Sequence, residues 1–599
     1  MTQRTERGTG PDAGAGGSTT TSTATDASTA TGTAESTATD TSIGTSTGTA
    51  ISEALFAAAR AWLAEDPDPT TRTELADLLE GAESGDPVAY GYLEDRFDGR
   101  LQFGTAGLRG ELGAGPNRMN RVTVLRAAAG LAAFVTEQHG TGQVVAIGYD
   151  ARHNSRRFAE DTAEVMLGAG HRPYLMPREL PTPMLAYSVL ALGAQAGVMV
   201  TASHNPARDN GYKVYLGDGS QITEPNDALI AAKIDAVGAL ADVPLGRVEN
   251  AEAVPESVIE SYVARSLELM PGSPELDLTY VYTAMHGVGY ELARRVLTNA
   301  GFPEPISVPE QQKPDPDFPT VSFPNPEEPG ALDLAFALAE EHHADLIIAN
   351  DPDADRMALA VPDQAAPGGW RRLSGDDVGL MLGHHLATAG RRGTFATSIV
   401  SSEGLAAIAA DAKVDYARTL TGFKWLSKVP DLAFGYEEAI GYCVDPAHVK
   451  DKDGVTAALT AAVLVAGLKA NGRTLLDYLA EVDKITGNLV TTQLSIRSND
   501  PEQIQTMMRT MRRNPPAALG GVAVAEVGDL SANGTALPPE QGLRLALDGG
   551  WIAVRPSGTE PKLKCYIELG DRAAADRSPV VARIAAVRAE LEEWFAQFA

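Results

Sequence analysis

The chain has 599 residues, a formal net charge of −30 and two cysteines, Cys443 and Cys565. Its length predicts several domains, because one domain usually takes about 100 to 200 residues. The negative charge argues against nucleic acid or an anionic membrane surface as a partner. Two distant cysteines exclude a disulfide framework and favour the reducing cytoplasm. We expect no membrane-spanning segment and no signal peptide, since no apolar run reaches about 18 residues and none follows Met1.

The predicted elements fall into four stretches. Residues 1–50 are almost entirely Thr, Ser, Ala, Gly and Asp, and we expect them to be disordered because they can bury little apolar surface. Residues 51–98 have helical spacing. Strand-like runs then alternate with helical ones, as in QVVAIGYD followed by RRFAEDTAEVMLGAG, which predicts sheets covered by helices. From about residue 487, several strand-like runs precede one long helix, which predicts an α+β domain.

These patterns predict four folded domains after a disordered tail over 1–50. The predicted ranges are 51–270 for the N-terminal helices and α/β domain I, 271–375 for α/β domain II, 376–486 for α/β domain III and 487–599 for α+β domain IV.

Ser203 lies in the stretch TASHNP, directly after the apolar run AGVMV. A β-branched run that stops at a short polar stretch predicts a strand ending in a loop. His204 follows Ser203, and Lys213 lies ten residues further on. These residues alone leave open whether the hydroxyl is a nucleophile or a helix cap.

Three carboxylates follow a second apolar run in LIIANDPDADR. In an extended segment Asp351, Asp353 and Asp355 would point the same way and repel one another. A hard divalent cation such as Mg²⁺ would relieve this repulsion. An EF-hand is a poor fit, since its sixth and twelfth positions would be Arg356 and Pro362. A solvated acidic loop is the alternative.

Three further stretches are candidates for binding a sugar phosphate. RPSGTEPKLK offers Arg555, hydroxyls, backbone N–H groups and lysines, which suit a phosphate, although a hairpin with a basic face is the alternative. FGYEEAIGY places Glu437 and Glu438 between aromatic residues, as a sugar site would, and TGFKWL with Lys424 lies just upstream. FGTAGLRG is a glycine-rich turn that presents Arg109 and lacks the GK[ST] of a Walker loop.

Together these motifs resemble those of the α-D-phosphohexomutase superfamily, the phosphoglucomutases and phosphomannomutases. TASHNP, DPDADR, YEEA and RPSGTEP occur in the family's order, and the resemblance covers about residues 55–599. FGTAGLRG, YTAMHGVG, FPNPEE and TGFKWL are most similar to the branch with phosphoglucomutase-2 and phosphopentomutase-type enzymes. The resemblance implies three α/β domains with mixed sheets and a C-terminal α+β domain around a central cleft.

The resemblance also implies an isomerase, an intramolecular phosphotransferase that interconverts hexose 1-phosphate and hexose 6-phosphate. Ser203 would carry the phosphoryl group, and Asp351, Asp353 and Asp355 would bind Mg²⁺ together with an oxygen of phosphorylated Ser203. Arg109, His204 and Lys213 would line the transfer site. The residues implied to bind substrate are Arg356, Lys424, Glu437, Glu438, Arg555, Ser557, Gly558, Thr559 and Lys564. Hexose 1,6-bisphosphate would be both activator and intermediate.

Three departures bear on the substrate. Tyr436 and Ala439 stand where the glucose-preferring pattern has Gly and Ser, and Lys564 stands where relatives often use arginine, which grips phosphate better. Glucose phosphate is the first prediction, and mannose or pentose phosphate is the alternative. We expect sugar phosphates as ligands, and a monomer or weak homodimer.

Two other functional classes fit less well. A haloacid-dehalogenase-like phosphatase would have Thr or Val where Asp355 stands, and it would leave TASHNP unexplained. A non-catalytic phosphosugar-binding relative would be expected to have lost Ser203 or an aspartate, and this chain keeps them.

Overall fold

The computed structural model describes residues 42–104, 107–270, 276–498, 500–531, 541–556 and 562–598. The chain divides into two units, 1–54 and 55–599. In the first unit, the described residues begin helix α1 (Ser42–Glu65). The predicted tail overlaps this helix at residues 42–50, and its disorder stays a prediction. The rest of the predicted tail, 1–41, lies outside the described residues.

Two short helices follow, α2 (Pro69–Glu83) and α3 (Pro87–Phe97). Each begins with a proline after an aspartate N-cap, since Asp68 accepts a hydrogen bond from Thr70 N–H and Asp86 from Val88 N–H. Leu75 and Leu93 are fully buried in the small core of this helical region.

The first sheet is mixed and six-stranded. Its strands are β1 (Leu108–Glu111), β2 (Val144–Tyr149), β3 (Arg172–Leu175), β4 (Ala196–Val200), β5 (Asp209–Leu216) and β6 (Glu252–Ala253), in the order β1-β5-β4-β2-β3-β6. The accompanying helices are α4 (Arg121–His139), α5 (Ser155–Gly168), α6 (Thr182–Ala191), α7 (Asn226–Asp235) and α8 (Glu256–Leu267). Because β4 and β5 are antiparallel neighbours, residues 201–208 form a tight connection at one end of this sheet.

The second sheet is also mixed. Its strands are β7 (Tyr280–Thr283), β8 (Ile306–Ser307), β9 (Leu346–Asn350), β10 (Met357–Pro362) and β11 (Trp370–Arg372), in the order β11-β10-β9-β7-β8. Its helices are α9 (Gly289–Asn299) and α10 (Asp333–Glu341). β9 and β10 pair antiparallel, so residues 351–356 are a hairpin loop.

The third sheet has four strands and lies among five helices. The strands are β12 (Thr394–Ser398), β13 (Asp415–Thr419), β14 (Leu432–Glu437) and β15 (Gly441–Cys443), in the order β13-β12-β14-β15. The helices are α11 (Gly375–Thr388), α12 (Gly404–Ala412), α13 (Phe423–Leu426), α14 (Gly454–Ala470) and α15 (Leu475–Thr486).

The fourth sheet is antiparallel and has its own core. Its strands are β16 (Val490–Arg497), β17 (Ala518–Leu519), β18 (Val522–Asp529), β19 (Leu543–Leu547), β20 (Gly550–Pro556) and β21 (Lys562–Leu569), in the order β16-β21-β20-β19-β18-β17. The helices α16 (Pro501–Arg513) and α17 (Ser578–Ala596) bury Met511 and Leu591 in this core. The predicted fold class, three α/β units with mixed sheets and a C-terminal α+β unit, is confirmed. The exact boundaries between domains stay a prediction.

The segment 444–453, between β15 and α14, joins the third sheet's domain to the first. Asp445 accepts a hydrogen bond from Arg265 (2.9 Å), and Asp451 accepts one from the hydroxyl of Tyr215 (2.6 Å). Asp453 accepts one from the hydroxyl of Tyr262 (2.9 Å) and also caps α14. Three carboxylates of one short segment thus fix the relative position of the two domains.

Within the described ranges, we find no single helix that is long and apolar enough to cross a membrane. α14 and α15 reach the required length and composition as a pair, but the chain bends by 103° between them.

Candidate active site

Ser203 lies in the loop between β4 and β5, and its side chain reaches the loop that follows β9. The residue is 3% exposed, and its φ of 52° is in the left-handed region that non-glycine residues rarely adopt. Its N–H donates to Oγ1 of Thr201 (2.9 Å), and its Oγ donates to Oδ2 of Asp351 (2.8 Å). Nδ1 of His204 lies 3.2 Å from the same Oγ. The hydroxyl of Ser203 is therefore held between a carboxylate and an imidazole.

Asp351, Asp353 and Asp355 converge in the hairpin loop between β9 and β10. All three are buried, and one carboxylate oxygen of each lies within 4.8 Å of those of the other two. Among the described residues, Oδ1 of Asp353 and Oδ1 of Asp355 have no hydrogen-bond partner. Buried polar atoms without a partner are costly, and carboxylate oxygens at this spacing suit a hard divalent cation. The predicted grouping is confirmed, and its oxygens fit a metal ion.

Three cations from three domains surround these aspartates. Nζ of Lys213, on β5, lies 2.7 Å from Oδ2 of Asp353 and 2.9 Å from Oδ2 of Asp355. Nζ of Lys452 lies 3.2 Å from that oxygen of Asp355, and Nε of Arg356 lies 3.6 Å from its Oδ1. The cations offset the repulsion between neighbouring carboxylates.

The cations also set the ionisation of the cluster. Burial works to raise the pKa of Asp355, but Lys213 and Lys452 outweigh it and bring that pKa below its ordinary value. The pKa of Asp353 is lowered too, since Lys213 outweighs burial and the neighbouring Asp355. Burial, Asp353 and Asp355 raise the pKa of Asp351 well above its ordinary value. Asp351 is thus the member of the cluster that holds a proton most readily.

His204 and Arg109 lie at the same junction. Burial, then the charges of Arg356 and Arg109, lower the pKa of His204 well below its ordinary value, although 26% of the side chain is exposed. The imidazole is therefore neutral at neutral pH. Nη1 of Arg109, on β1, donates to Oδ1 of Asn205 in the serine loop (3.1 Å). The structure brings Arg109, Ser203, His204 and Lys213 together.

Glu437 and Glu438 follow one another at the end of β14 and have different partners. Oε1 of Glu437 accepts a hydrogen bond from the N–H of Gly422 (2.7 Å). Oε2 of Glu438 accepts one from the hydroxyl of Ser401 (3.0 Å). Burial, Glu437 and Asp376 raise the pKa of Glu438 to about 7.

The residues on either side of these glutamates are oriented differently. The carbonyl of Ala439 accepts a hydrogen bond from Nη1 of Arg356 (2.7 Å), which connects the glutamate loop to the aspartate loop. The ring of Tyr436 is fully buried, and its hydroxyl donates to Asp376 (3.0 Å). Tyr436 is therefore a core residue.

The candidate phosphate end is built from β20, β21 and α13. Arg555, on β20, donates to the hydroxyl of Thr421 and pairs across the sheet with Lys564 on β21. Burial and the charge of Lys562 lower the pKa of Lys564. Nζ of Lys424 lies 5.8 Å from the ring centroid of Trp425. The predicted phosphate-binding residues Ser557, Gly558 and Thr559 lie outside the described residues.

Sequence reasoning missed three residues of this site. Lys452 had a signal, since HVKDKDG places two lysines close together in an acidic chain. The hydroxyl of Thr182, at the start of α6, donates to Oδ2 of Asp353 (2.6 Å). The guanidinium of Arg152 donates to the carbonyl of Ser203 (2.6 Å). The last two have no pattern in the sequence that links them to partners more than 50 residues away.

The chain matches family models along most of its length. It matches the Phosphoglucomutase/phosphomannomutase alpha/beta/alpha domain I over residues 100–240, domain II over 260–365, domain III over 374–485 and the C-terminal domain over 508–585.

Individual relatives agree with these matches. A "Probable phosphomannomutase" of Haemophilus influenzae is 49% identical over 474 residues, which are 78% of this chain and 96% of the relative. A "Probable phosphoribomutase" of Schizosaccharomyces pombe is 36% identical over 550 residues, 84% of this chain and 92% of the relative. The crystal structure of a phosphoglucomutase/phosphomannomutase family protein from Burkholderia thailandensis has a TM-score of 0.62 at 18% identity, covering 82% of this chain and 97% of its own. At that identity the likeness shows the fold.

Four matched domains in order, together with 49% identity over most of the chain, define the class of protein: an isomerase that moves a phosphoryl group within a sugar phosphate. The chain belongs to the phosphoglucomutase/phosphomannomutase family of the α-D-phosphohexomutase superfamily.

Proposed function

We propose that this mutase interconverts hexose 1-phosphate and hexose 6-phosphate through phosphorylated Ser203 and a sugar bisphosphate. The observation that supports this most directly is the 2.8 Å hydrogen bond from Oγ of Ser203 to Asp351 in the aspartate cluster. It brings a hydroxyl that can carry a phosphoryl group against carboxylates that can hold a cation. Phosphoryl transfer depends mainly on positioning and charge stabilisation, which this arrangement supplies.

Asp351, Asp353 and Asp355 would hold Mg²⁺, together with an oxygen of phosphorylated Ser203. The donor set fits it, since Asp353 and Asp355 each keep a buried oxygen with no hydrogen-bond partner among the described residues. When bound, Mg²⁺ would supply positive charge against the transferring phosphoryl group.

In the first half of the reaction, the P–O bond to Ser203 breaks while phosphorus bonds to a free hydroxyl oxygen of the sugar phosphate. Because His204 is neutral, it can accept the proton of the attacking sugar hydroxyl. Its Nδ1 lies 3.2 Å from Oγ of Ser203, so it gives a proton to the departing serine oxygen. Burial works to lower the pKa of Lys213, but Asp353 and Asp355 outweigh it and raise that pKa. Lys213 therefore stays charged and, with Arg109, stabilises the negative charge of the transfer.

In the second half, the other phosphoryl group of the bisphosphate returns to Ser203 by the reverse steps. Glu437 accepts hydrogen bonds from sugar hydroxyls. The residues assigned to the rest of the substrate are Glu438, Arg356 and Lys424 at the sugar, and Arg555, Ser557, Gly558, Thr559 and Lys564 at the phosphate that is not transferred. Hexose 1,6-bisphosphate would act as activator by phosphorylating Ser203.

Glucose phosphate is the substrate we propose first, because adjacent carboxylates Glu437 and Glu438 suit the neighbouring hydroxyls of that sugar. Mannose phosphate and ribose phosphate are the alternatives, and the names of the two relatives favour them. We further propose that the protein is cytoplasmic and has no nucleic-acid partner. We also propose that it is a monomer or a weak homodimer, and size-exclusion chromatography with light scattering would test this.

The deciding experiment measures isomerisation of glucose, mannose and ribose 1-phosphates in parallel, with Mg²⁺ and a trace of hexose 1,6-bisphosphate. We expect the fastest turnover with glucose 1-phosphate and no turnover in Ser203→Ala. The matched control is Ser188→Ala, which removes another fully buried serine hydroxyl of the same domain, bonded to the carbonyl of Met184 (2.8 Å). Preference for mannose or ribose 1-phosphate would contradict the proposed substrate but leave the proposed mechanism intact. Full activity in Ser203→Ala would contradict the mechanism.

A further inference from the structure

One buried guanidinium organises the backbone of the whole serine loop. Arg152 is 4% exposed and follows β2, about 50 residues before the loop. Its Nη2 donates to the carbonyls of Ser203 (2.6 Å) and Asn205 (2.5 Å), and its Nη1 donates to those of Pro206 (2.7 Å) and Asp209 (3.1 Å). Three carbonyls of one loop and the carbonyl of the first residue of β5 therefore converge on one side chain.

These bonds fix the part of the loop that is conformationally costly. A non-glycine residue in the left-handed region costs about 1 kcal/mol or more and persists when its surroundings hold it. At Ser203 the N–H is fixed by Thr201 and the carbonyl by Arg152. With both sides of the residue anchored, the direction of its Cα–Cβ bond is fixed, and from this position Oγ reaches Asp351.

Arg152 also links this loop to the domain of the aspartate cluster. Its guanidinium lies over the ring of Phe318, 4.9 Å from the centroid, and Phe318 follows β8 of the second sheet's domain. The carboxylate of Asp150 lies 3.5 Å from Nε of Arg152 and balances its charge. The same side chain thus contacts the serine loop and the domain that carries the aspartate cluster.

We propose that Arg152 is a positioning residue for phosphoryl transfer, which holds Ser203 Oγ toward the aspartate cluster through the loop carbonyls. The proposal rests on the proposed function, because it assigns Arg152 a purpose in that reaction. Arg152 bonds to backbone oxygens, so it acts on the transferred group through Ser203. A misplacement of about 1 Å in a reacting group can cost about 10²-fold in rate.

The test compares Arg152→Lys and Arg152→Ala with a matched loss of a buried ion pair. Lysine keeps the charge but cannot bond four carbonyls at once. Arg121→Met is the control, because Arg121 makes a two-bond pair with buried Asp161 (2.8 Å each) in the same domain and does not touch the serine loop. We expect kcat to fall about 10²-fold in both Arg152 variants, with KM changed less than about threefold, and to stay within about twofold of wild type in the control.

Two further readouts separate positioning from general destabilisation. Free guanidinium, added below denaturing concentration, should raise kcat of Arg152→Ala by about tenfold and leave the control unchanged. Hydrogen exchange of residues 201–209 should be faster in Arg152→Lys than in Arg121→Met. Each variant is measured at the same number of degrees below its own melting temperature. Equal kcat and equal exchange in Arg152→Lys and Arg121→Met would overturn the proposal.

The exchange measurement also separates this inference from the function on which it rests. If wild type showed no mutase activity while exchange changed as expected, the proposed reaction would fail and the loop-holding role of Arg152 would stand. If wild type were active and Arg152→Lys kept its kcat, the role of Arg152 in transfer would fail alone.

Discussion

Arg356 lies between two groups of acidic residues, the aspartates of the loop after β9 and the glutamates at the end of β14. The two groups are stabilised in different ways. Asp353 and Asp355 face ammonium groups, with Lys213 within 3 Å of both. Glu438 instead accepts a hydrogen bond from the hydroxyl of Ser401. The pKa of Asp355 is consequently below its ordinary value, whereas burial raises that of Glu438 to about 7. Burial pushes every carboxyl toward its neutral form, and a cation in direct contact reverses the outcome.

This difference matches the two tasks proposed for the groups. Ionised carboxylates are good ligands for a hard cation. A carboxyl near its neutral form can both donate and accept hydrogen bonds, which suits a sugar hydroxyl. The comparison therefore supports metal binding by Asp353 and Asp355 and hydroxyl recognition by Glu438.

The largest effect should come from removing one metal-binding carboxylate. We expect Asp351→Asn to lower kcat/KM by about 10³-fold, since it weakens both the metal site and the contact to Ser203. Glu437→Gln should cost about 10- to 10²-fold, because it loses charge at a hydroxyl contact. Steady-state kinetics with Mg²⁺ titration checks both, and equal losses would break the distinction between the two groups.

The next effect concerns the cation that compensates the aspartates. Lys213→Met should lower the free energy of unfolding by about 3–5 kcal/mol, because two buried carboxylates, Asp353 and Asp355, each lose their nearest cation. Lys469→Met is the control, since that lysine is 36% exposed and 2.9 Å from Asp345, and it should cost about 0–1 kcal/mol. Urea denaturation without Mg²⁺ measures both. A loss at Lys213 no larger than in the control would show that Lys213 does not stabilise the aspartates.

A pH titration sharpens the contrast from the glutamate side. The folded pKa of Glu438, about 7, is above its ordinary 4.5, so the folded state favours the protonated form. Its contribution to stability is full below pH 4.5 and is lost as pH rises through about 7. Between pH 4.5 and about 7, the free energy of unfolding of wild type should fall by about 3 kcal/mol relative to that of Glu438→Gln, at about 1.4 kcal/mol for each pH unit. Urea denaturation from pH 4 to 8 would contradict this if the difference between the two proteins stayed constant.

The smallest effect should come from Ala439, whose side chain is half-buried beside the glutamates. Ala439→Ser adds a hydroxyl donor and should change stability by less than about 0.5 kcal/mol. It should change the ratio of kcat/KM for glucose and mannose 1-phosphates by about two- to tenfold. An unchanged ratio would mean that the sugar does not reach residue 439.

The sequence predicted the aspartate cluster correctly but for an incomplete reason. Alternation along an extended segment was expected to align Asp351, Asp353 and Asp355. In the structure they converge in a turn, with Ala354 at a φ of 51°. Strand positions, apolar runs and motif order could be predicted from the sequence because they are local patterns. The four sheets agree with them.

The hydrogen-bond and ion-pair partners of the site residues could not be predicted in the same way. Lys452 reaches Asp355 from another domain, and Arg152 reaches the carbonyl of Ser203 across 51 residues. Such contacts depend on how loops pack, and the bond from Arg152 is to a backbone atom that every residue type carries. Single-sequence patterns contain no record of these pairs.

The segment 444–453 has a consequence for how the protein is made. Tyr215 and its acceptor Asp451 are 236 residues apart in the chain. At about 5–20 residues per second, a ribosome needs about 10 to 50 s to synthesise the chain between them. During that interval the hydroxyls of Tyr215 and Tyr262 lack their acceptors Asp451 and Asp453, so this surface of the first domain stays uncovered until the segment has been made.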